Sequence, residues 1–305
     1  MWSTVQRQTI LLMNQVAPKS NTAITGIAPI VLNSLPNMPL ILAKAAVKSG
    51  SYRIGDSLPK ICAQWENMIL DTQHLAKYNQ VCGFSEHKLP ATYLWTRAFP
   101  LIMRILVSKQ FPLPAMGQVH LRNQIAVHKS FDINKSISLT ATVDHSELSS
   151  KGLEWSIQIT AEVEGVSVWS SQSTFLHRCK TGIERSSKII ENAEGESQQW
   201  TLTKDLGRRY AAISGDYNPI HLGALSAKIF GFKKAIAHGM WSKARCLAAL
   251  DAVTPESGYQ VRVNFLKPVY LPSTVSFYAN SEESGQNFFL YDSSGEHRHL
   301  QGSIS

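Results

Sequence analysis

Residues Leu89–Ile125 read LPATYLWTRAFPLIMRILVSKQFPLPAMGQVHLRNQI, and the fold turns on a change of period inside them. Up to Lys109 the apolar positions Leu94, Ala98, Leu101 and Ile105 recur at helical spacing. Pro100 is expected to kink that helix, since it removes a backbone donor and crowds the preceding turn. After Pro114 the period falls to two. Val119, Leu121 and the Ile125-Val127 pair, then Ile137-Leu139-Ala141-Val143, then Trp155-Ile157-Ile159-Ala161, then Val166-Val168 alternate with polar residues and predict half-buried antiparallel strands. Glu164-Gly165 is the expected hairpin turn and Asp144-His145 a turn at a strand end. A helix and a sheet that each have one apolar face are best buried with the sheet wrapped around the helix, an α+β arrangement.

Upstream, Arg53-Ile54-Gly55-Asp56 reads as a turn, Ile61–Leu70 as a strand, and Asp71 as the N-cap of a helix over Thr72–Val81. Residues 1–50 combine an amphipathic Thr4–Val16 with a proline-broken apolar segment and read as an extension packed on the first repeat. Residues 181–199 are polar and rich in Gly, Ser and Glu, the composition of a linker. Beyond it the first half returns. Tyr78-Asn79-Gln80-Val81-Cys82-Gly83 matches Tyr210-Ala211-Ala212-Ile213-Ser214-Gly215, and Gln118-Val119-His120-Leu121 matches Gln260-Val261-Arg262-Val263. The chain therefore divides into a first unit over 51–180 and a second over 200–305.

The copies differ in one loop. Gly83 is followed after eight residues by Ala91, the expected helix start, whereas Gly215 is separated from Gly239 by twenty-four. The second stretch, Tyr210–Trp241, reads YAAISGDYNPIHLGALSAKIFGFKKAIAHGMW. Asp216 and His221 flank an Asn218-Pro219 turn that can aim both side chains at one water, the arrangement general acid–base catalysis requires. In the first copy Phe84 stands at the position of Asp216. Gly239 begins a helical pattern whose unpaired first-turn amides suit an oxyanion, and its missing side chain lets a ligand approach. His238 is read as structure at the start of that helix, and His297 and His299 as an exposed strand face.

With 305 residues the chain can bury two cores, and no apolar run reaches the roughly 18 residues of a membrane span. No secretory signal is evident, so a cytoplasmic protein is expected. Four cysteines without a CxxC pair argue against structural zinc and against disulfides. The net charge of +8 calls for an anionic partner, yet no basic arm or dense run suggests nucleic acid. Lys228, Lys233, Lys234, Lys243, Arg245, Arg262 and Lys267 gather near the loop, which suits a phosphorylated small molecule or an acidic carrier protein. GxSxG, GxGxxG, P-loop and HExxH motifs are lacking.

The Tyr210–Trp241 motif resembles the hydratase motif of the MaoC-like family, which includes (R)-specific enoyl-CoA hydratases and 3-hydroxyacyl-thioester dehydratases. Leu89–Ile125 looks like the degenerate repeat of its double-hotdog members. The resemblance implies a sheet curled around a central helix, twice, and catalysis without metal or other cofactor. It implies that Asp216 and His221 hold the water added to a trans-2-enoyl thioester, that the Gly239 amide binds the thioester oxygen, and that Asn218 shapes the loop. Lys233, Lys234, His238, Lys243 and Arg245 would line the carrier side, with CoA and acyl carrier protein equally served and a homodimer left open. Gly223 departs from the family, many of whose members carry an acid there. An acyl-CoA thioesterase and a non-catalytic acyl-thioester binding module are the alternatives.

Overall fold

The computed structural model describes residues 28–184, 197–282 and 285–305; Thr4–Val16 lies outside them. The described chain opens with β1 (Ile30–Leu32) and α1 (Met38–Val47), the latter capped by Asn37, whose side chain accepts the Leu40 N–H. β2 (Cys62–Met68) follows and pairs with β1 in parallel, so part of the N-terminal extension is an edge strand of the first repeat. α2 (Thr72–Cys82) starts at Asp71, whose carboxylate accepts the N–H groups of Gln73 and His74. It ends at Gly83, in the left-handed region at φ 87°, where glycine carries no Cβ penalty.

The central helix of the first repeat, α3, spans Tyr93–Leu106 and continues through the buried Pro100. It starts at Tyr93 and not at Ala91, because a turn closed by Tyr93 N–H on Pro90 O (2.9 Å) comes first. Leu94, Ala98, Leu101 and Ile105, the residues of the helical stripe, are at most 2% exposed. Truncating one of these leucines to alanine would cost about 2–5 kcal/mol.

The alternating segments form β3 (Val119–Val127), β4 (Ile137–Ser149), β5 (Gly152–Val163) and β6 (Val166–Arg178). Glu164 and Gly165, both at positive φ, turn β5 into β6. Asp144-His145 corrects the expectation of a strand-end turn. The pair lies at a register shift inside β4, and the His145 N–H stays bound to Ser156 Oγ of β5.

The second repeat begins with β7 (Ser197–Leu202), which takes in the last three residues of the segment read as linker. It continues through α4 (Leu206–Ser214), α5 (Pro219–Leu222), α6 (Ala224–Ile229) and α7 (Gly239–Ala249). β8 (Tyr259–Phe265), β9 (Ser273–Glu282), β10 (Gly285–Asp292) and β11 (Arg298–Ile304) complete it.

All strands join one 11-stranded sheet in the order β1-β2-β4-β5-β6-β3-β8-β11-β10-β9-β7. β3 and β8 pair antiparallel at its centre, where Arg122 faces Asn264, its own counterpart in the repeat. Tyr78 and Tyr210, also counterparts, are buried with ring centroids 6.3 Å apart. The architecture is a double hotdog, each repeat's antiparallel strands curled around its central helix, α3 or α7, with the two halves joined into one sheet and β1 added in parallel at its edge. No helix among the described residues is long and apolar enough to cross a membrane.

Candidate active site

α4 ends at Gly215 in the left-handed region, φ 74°, and its N–H closes on Ala211 O. That reversal sends the chain into Asp216, whose N–H donates to Ser214 Oγ (3.2 Å). Asp216 Oδ1 then accepts the Asn218 N–H (3.2 Å), a local turn that fixes the carboxyl and leaves Oδ2 without such a bond among the described residues. Asn218 caps α5 by accepting the Ile220 N–H, and Pro219 occupies the first helical position, where a missing donor does no harm. One turn later comes His221, buried.

His221 Nδ1 donates to Ile236 O at 2.7 Å. That bond sets the tautomer and leaves Nε2 a free base. Ile236 is itself held, its N–H on Ile220 O (3.0 Å), while Ala237 N–H reaches Val269 O (2.8 Å). His238 stacks on His221 with ring centroids 3.6 Å apart and planes 25° from parallel. Its Nε2–H donates to the main-chain oxygen of Asp216 (2.9 Å) and lies 3.9 Å from the carboxylate Oδ2. His238 thus braces the loop, as a residue at the start of α7 and in contact with both members of the pair.

Burial dominates the electrostatics. It raises the Asp216 pKa above the ordinary carboxylate value, opposed by His221 and the Asn218 amide. It lowers the His221 pKa, opposed by the Asp216 charge and the Ile236 carbonyl. His238 is pushed well below the ordinary histidine value, by burial first and by His221 second. Both imidazoles are therefore neutral near pH 7, and His221 is poised as a base.

α7 starts at Gly239 with no side chain capping it, so its first amides stay available to an anion. The expectation that a ligand fills the space beside Gly239 needs correction: a Cβ there would meet the ring of Phe265, 3.1 Å away. The glycine admits Phe265, and the ring in turn walls the cavity.

That cavity, about 500 Å³, is lined by Asp216, Asn218, His221, His238 and Gly239 together with Trp95, Phe99, Ile102 and Met103 of α3. The first repeat thus supplies an apolar wall to the second repeat's reactive loop. Trp95, His120 and Phe175 stack along another side. Burial lowers the His120 pKa to about 3, so that ring is an uncharged part of the wall.

Asp216, His221 and His238 offer donor atoms within 4.8 Å of one another, the spacing of a loose metal site. An imidazole-bound ion lies in the ring plane about 2 Å from nitrogen. Rings stacked at 3.6 Å and only 25° from parallel have no such point in common, so the two histidines do not fit one ion.

Lys243 is the clearest correction among the expected carrier-side residues. It is 0% exposed, and its Nζ donates to Asn123 Oδ1 (2.6 Å), Val261 O (3.1 Å) and Asn123 O (3.3 Å). Arg245 also turns away from the cavity: its guanidinium lies 4.4 Å over the Trp200 ring and against Gly83. Lys233 and Lys234 are exposed and outside the cavity lining. His299 corrects the exposed-face reading, since it is half-buried and lines the cavity, whereas His297 is exposed.

Sequence reasoning missed Arg178, Phe265 and Gly207. Arg178 and Lys267 are the basic side chains on the lining. Any Cβ on Gly207 would overlap the His221 carbonyl, so α4 can pass the loop only with glycine there. A glycine within the helical pattern just before Tyr210 was the available signal.

A family model described as a MaoC like domain matches residues 186–297. A 3-hydroxyacyl-thioester dehydratase X of Mycobacterium tuberculosis is 29% identical over 254 residues, 82% of this chain and 90% of that one. The crystal structure of HtdX from Mycobacterium tuberculosis is similar with a TM-score of 0.71 at 29% identity, covering 79% of this chain and 98% of that one. A MaoC-like dehydratase from Phytophthora capsici shares the fold at 18% identity, with a TM-score of 0.62 over 80% of this chain and 94% of that one.

Proposed function

We propose that this chain, a member of the MaoC-like dehydratase family, is a hydro-lyase that interconverts trans-2-enoyl thioesters and (R)-3-hydroxyacyl thioesters. One observation carries the reading. One cavity is lined by a residue with a free imidazole nitrogen, a residue with a carboxylate oxygen and an uncapped helix start, together with apolar side chains of α3.

In the hydration direction, water sits between Asp216 Oδ2 and His221 Nε2. The imidazole takes a proton as the water oxygen bonds to C3, and the double-bond electrons move to the thioester oxygen. The Gly239 N–H holds that developing negative charge, a contribution worth about 10²- to 10³-fold for one such donor. The dyad then returns the proton to C2, which closes the balance of one water added. Delivery of hydroxyl and proton from one face fits a water confined to the loop side of the cavity. The acyl chain extends along Phe99, Ile102 and Met103, and Arg178 with Lys267 faces the phosphates of the carrier.

The test is loss of enoyl absorbance across enoyl-CoA chain lengths, with chiral analysis of the product. Asp216→Asn and His221→Ala are each expected to lower turnover by at least about 10²-fold with the fold intact. Turnover like wild type in either variant, or an (S) product, would overturn the reading. Release of free thiol with enoyl absorbance unchanged would identify a thioesterase.

A further inference from the structure

The loop that carries Asn218 and His221 also carries an outward apolar face that catalysis leaves unused. Leu225 and Ile229, one turn apart on α6, are each 82% exposed, and Tyr217 and Phe230 are 41% and 39% exposed. The opposite side of the helix is fixed inward: Ala227 is buried, and Ser226 Oγ donates to Pro219 O at 2.7 Å. Exposed Lys228, Lys233 and Lys234 flank the apolar pair, and no Asp or Glu occurs from Tyr217 to Leu250. Among the described residues none of the three lysines is ion-paired. The patch borders the cavity, whose lining includes Phe230, Phe232 and the 42% exposed Leu266 beside exposed Lys267.

We infer that this apolar and basic rim seats the protein on an anionic lipid surface, with Leu225, Ile229 and Phe230 among the headgroups and the lysines on lipid phosphates. Short apolar side chains ringed by lysine are what holds an element in the interfacial plane, and neither shape complementarity nor a membrane span is needed. A stable protein partner requires on the order of 1,000 Å² of fitted surface, more than a one-and-a-half-turn helix and its flanking turn present. A soluble phosphate would satisfy the lysines but leave Leu225 and Ile229 in water. Seated in this way, the cavity opens beside the bilayer, where acyl chains partition. The inference does not depend on the reaction assigned to the cavity.

The experiment is co-sedimentation of the full chain with phosphatidylcholine vesicles, with and without phosphatidylglycerol. Binding is expected only to the anionic vesicles, weakening about tenfold as salt is raised. The Leu225→Ser/Ile229→Ser double variant should lose about tenfold in vesicle affinity. Its far-UV circular dichroism and thermal midpoint should match wild type, which shows that it folds. Lys228→Glu/Lys233→Glu should lose binding to anionic vesicles as well. The proposal is overturned if wild type stays in solution with anionic vesicles at low salt, or if the double serine variant binds like wild type. It is equally overturned if the same variants abolish self-association or binding of an acidic carrier protein while vesicles bind neither form.

Discussion

Gly239 and Phe265 are matched across one side of the cavity: a Cβ at 239 would stand 3.1 Å from two ring carbons of Phe265. That separation is tighter than ordinary carbon contact, so either the ring or the start of α7 must give way. Gly239→Ala is therefore expected to lower kcat about 10²-fold with little change in thermal stability. Adding Phe265→Leu, which frees the space, should recover a large part of the loss. Equal damage in the single and double variants would show that the methyl acts by blocking or shifting the amide and not by its clash with Phe265.

The pH dependence follows from six histidines whose pKa burial lowers, His74, His177 and His299 together with His120, His221 and His238 at the cavity. Burial holds the pKa of His221, His238 and His120 below the unfolded value of about 6.5, to about 3 for His120. Between the two values the unfolded chain binds protons that the folded chain refuses. Their contribution to stability is thus complete above about pH 6.5 and is lost as the pH falls. Asp216 works the opposite way: its raised pKa adds stability at low pH and gives it up as the pH rises through that value. Urea denaturation should show stability falling from pH 7 to pH 5, with a shallower fall in His238→Gln, which retains an N–H for the Asp216 carbonyl. The acid limb of kcat/KM should lie below the ordinary histidine pKa, since the proposed base, His221, has its pKa lowered by burial and acts only when neutral.

Lys243 joins the two repeats through Asn123 of β3 and Val261 of β8. Burial pushes its pKa well down, so the amine is tolerated only because its donors are met by oxygen atoms. Lys243→Met should lower unfolding free energy by about 1–3 kcal/mol, read from denaturant midpoints, and leave KM for enoyl-CoA unchanged. A raised KM with unaltered stability would return this lysine to the substrate.

Local patterns carried most of the fold and brought half of the candidate site together. Asp216, Asn218 and His221 were legible because five consecutive steps of backbone geometry bring them together, and Gly239 because a helix start is a local event. Strands 119–178 were legible because each has one buried face, which imposes the period of two. Phe265 was not, since only the pairing of β8 between β3 and β11 carries it to Gly239. Lys243 was misread through its charge. It shares a helix face with Met240, Ala244 and Leu247, and that spacing already pointed inward. The stacking of His221 on His238 depends on two segments brought together by the Ile236–Ile220 bond, which no spacing rule encodes.

The fusion of the halves along β3 and β8 has an evolutionary consequence. In a homodimer of identical hotdogs every substitution is made twice, so a change that reshapes the wall also alters the reactive loop of the other subunit. Within one chain that symmetry is broken. Phe84 can stand where the second copy has Asp216, and α3 can carry aromatic bulk, without touching Asp216 or His221. Cavity shape and loop are then inherited on separate stretches of sequence, each free to change without sacrificing the other.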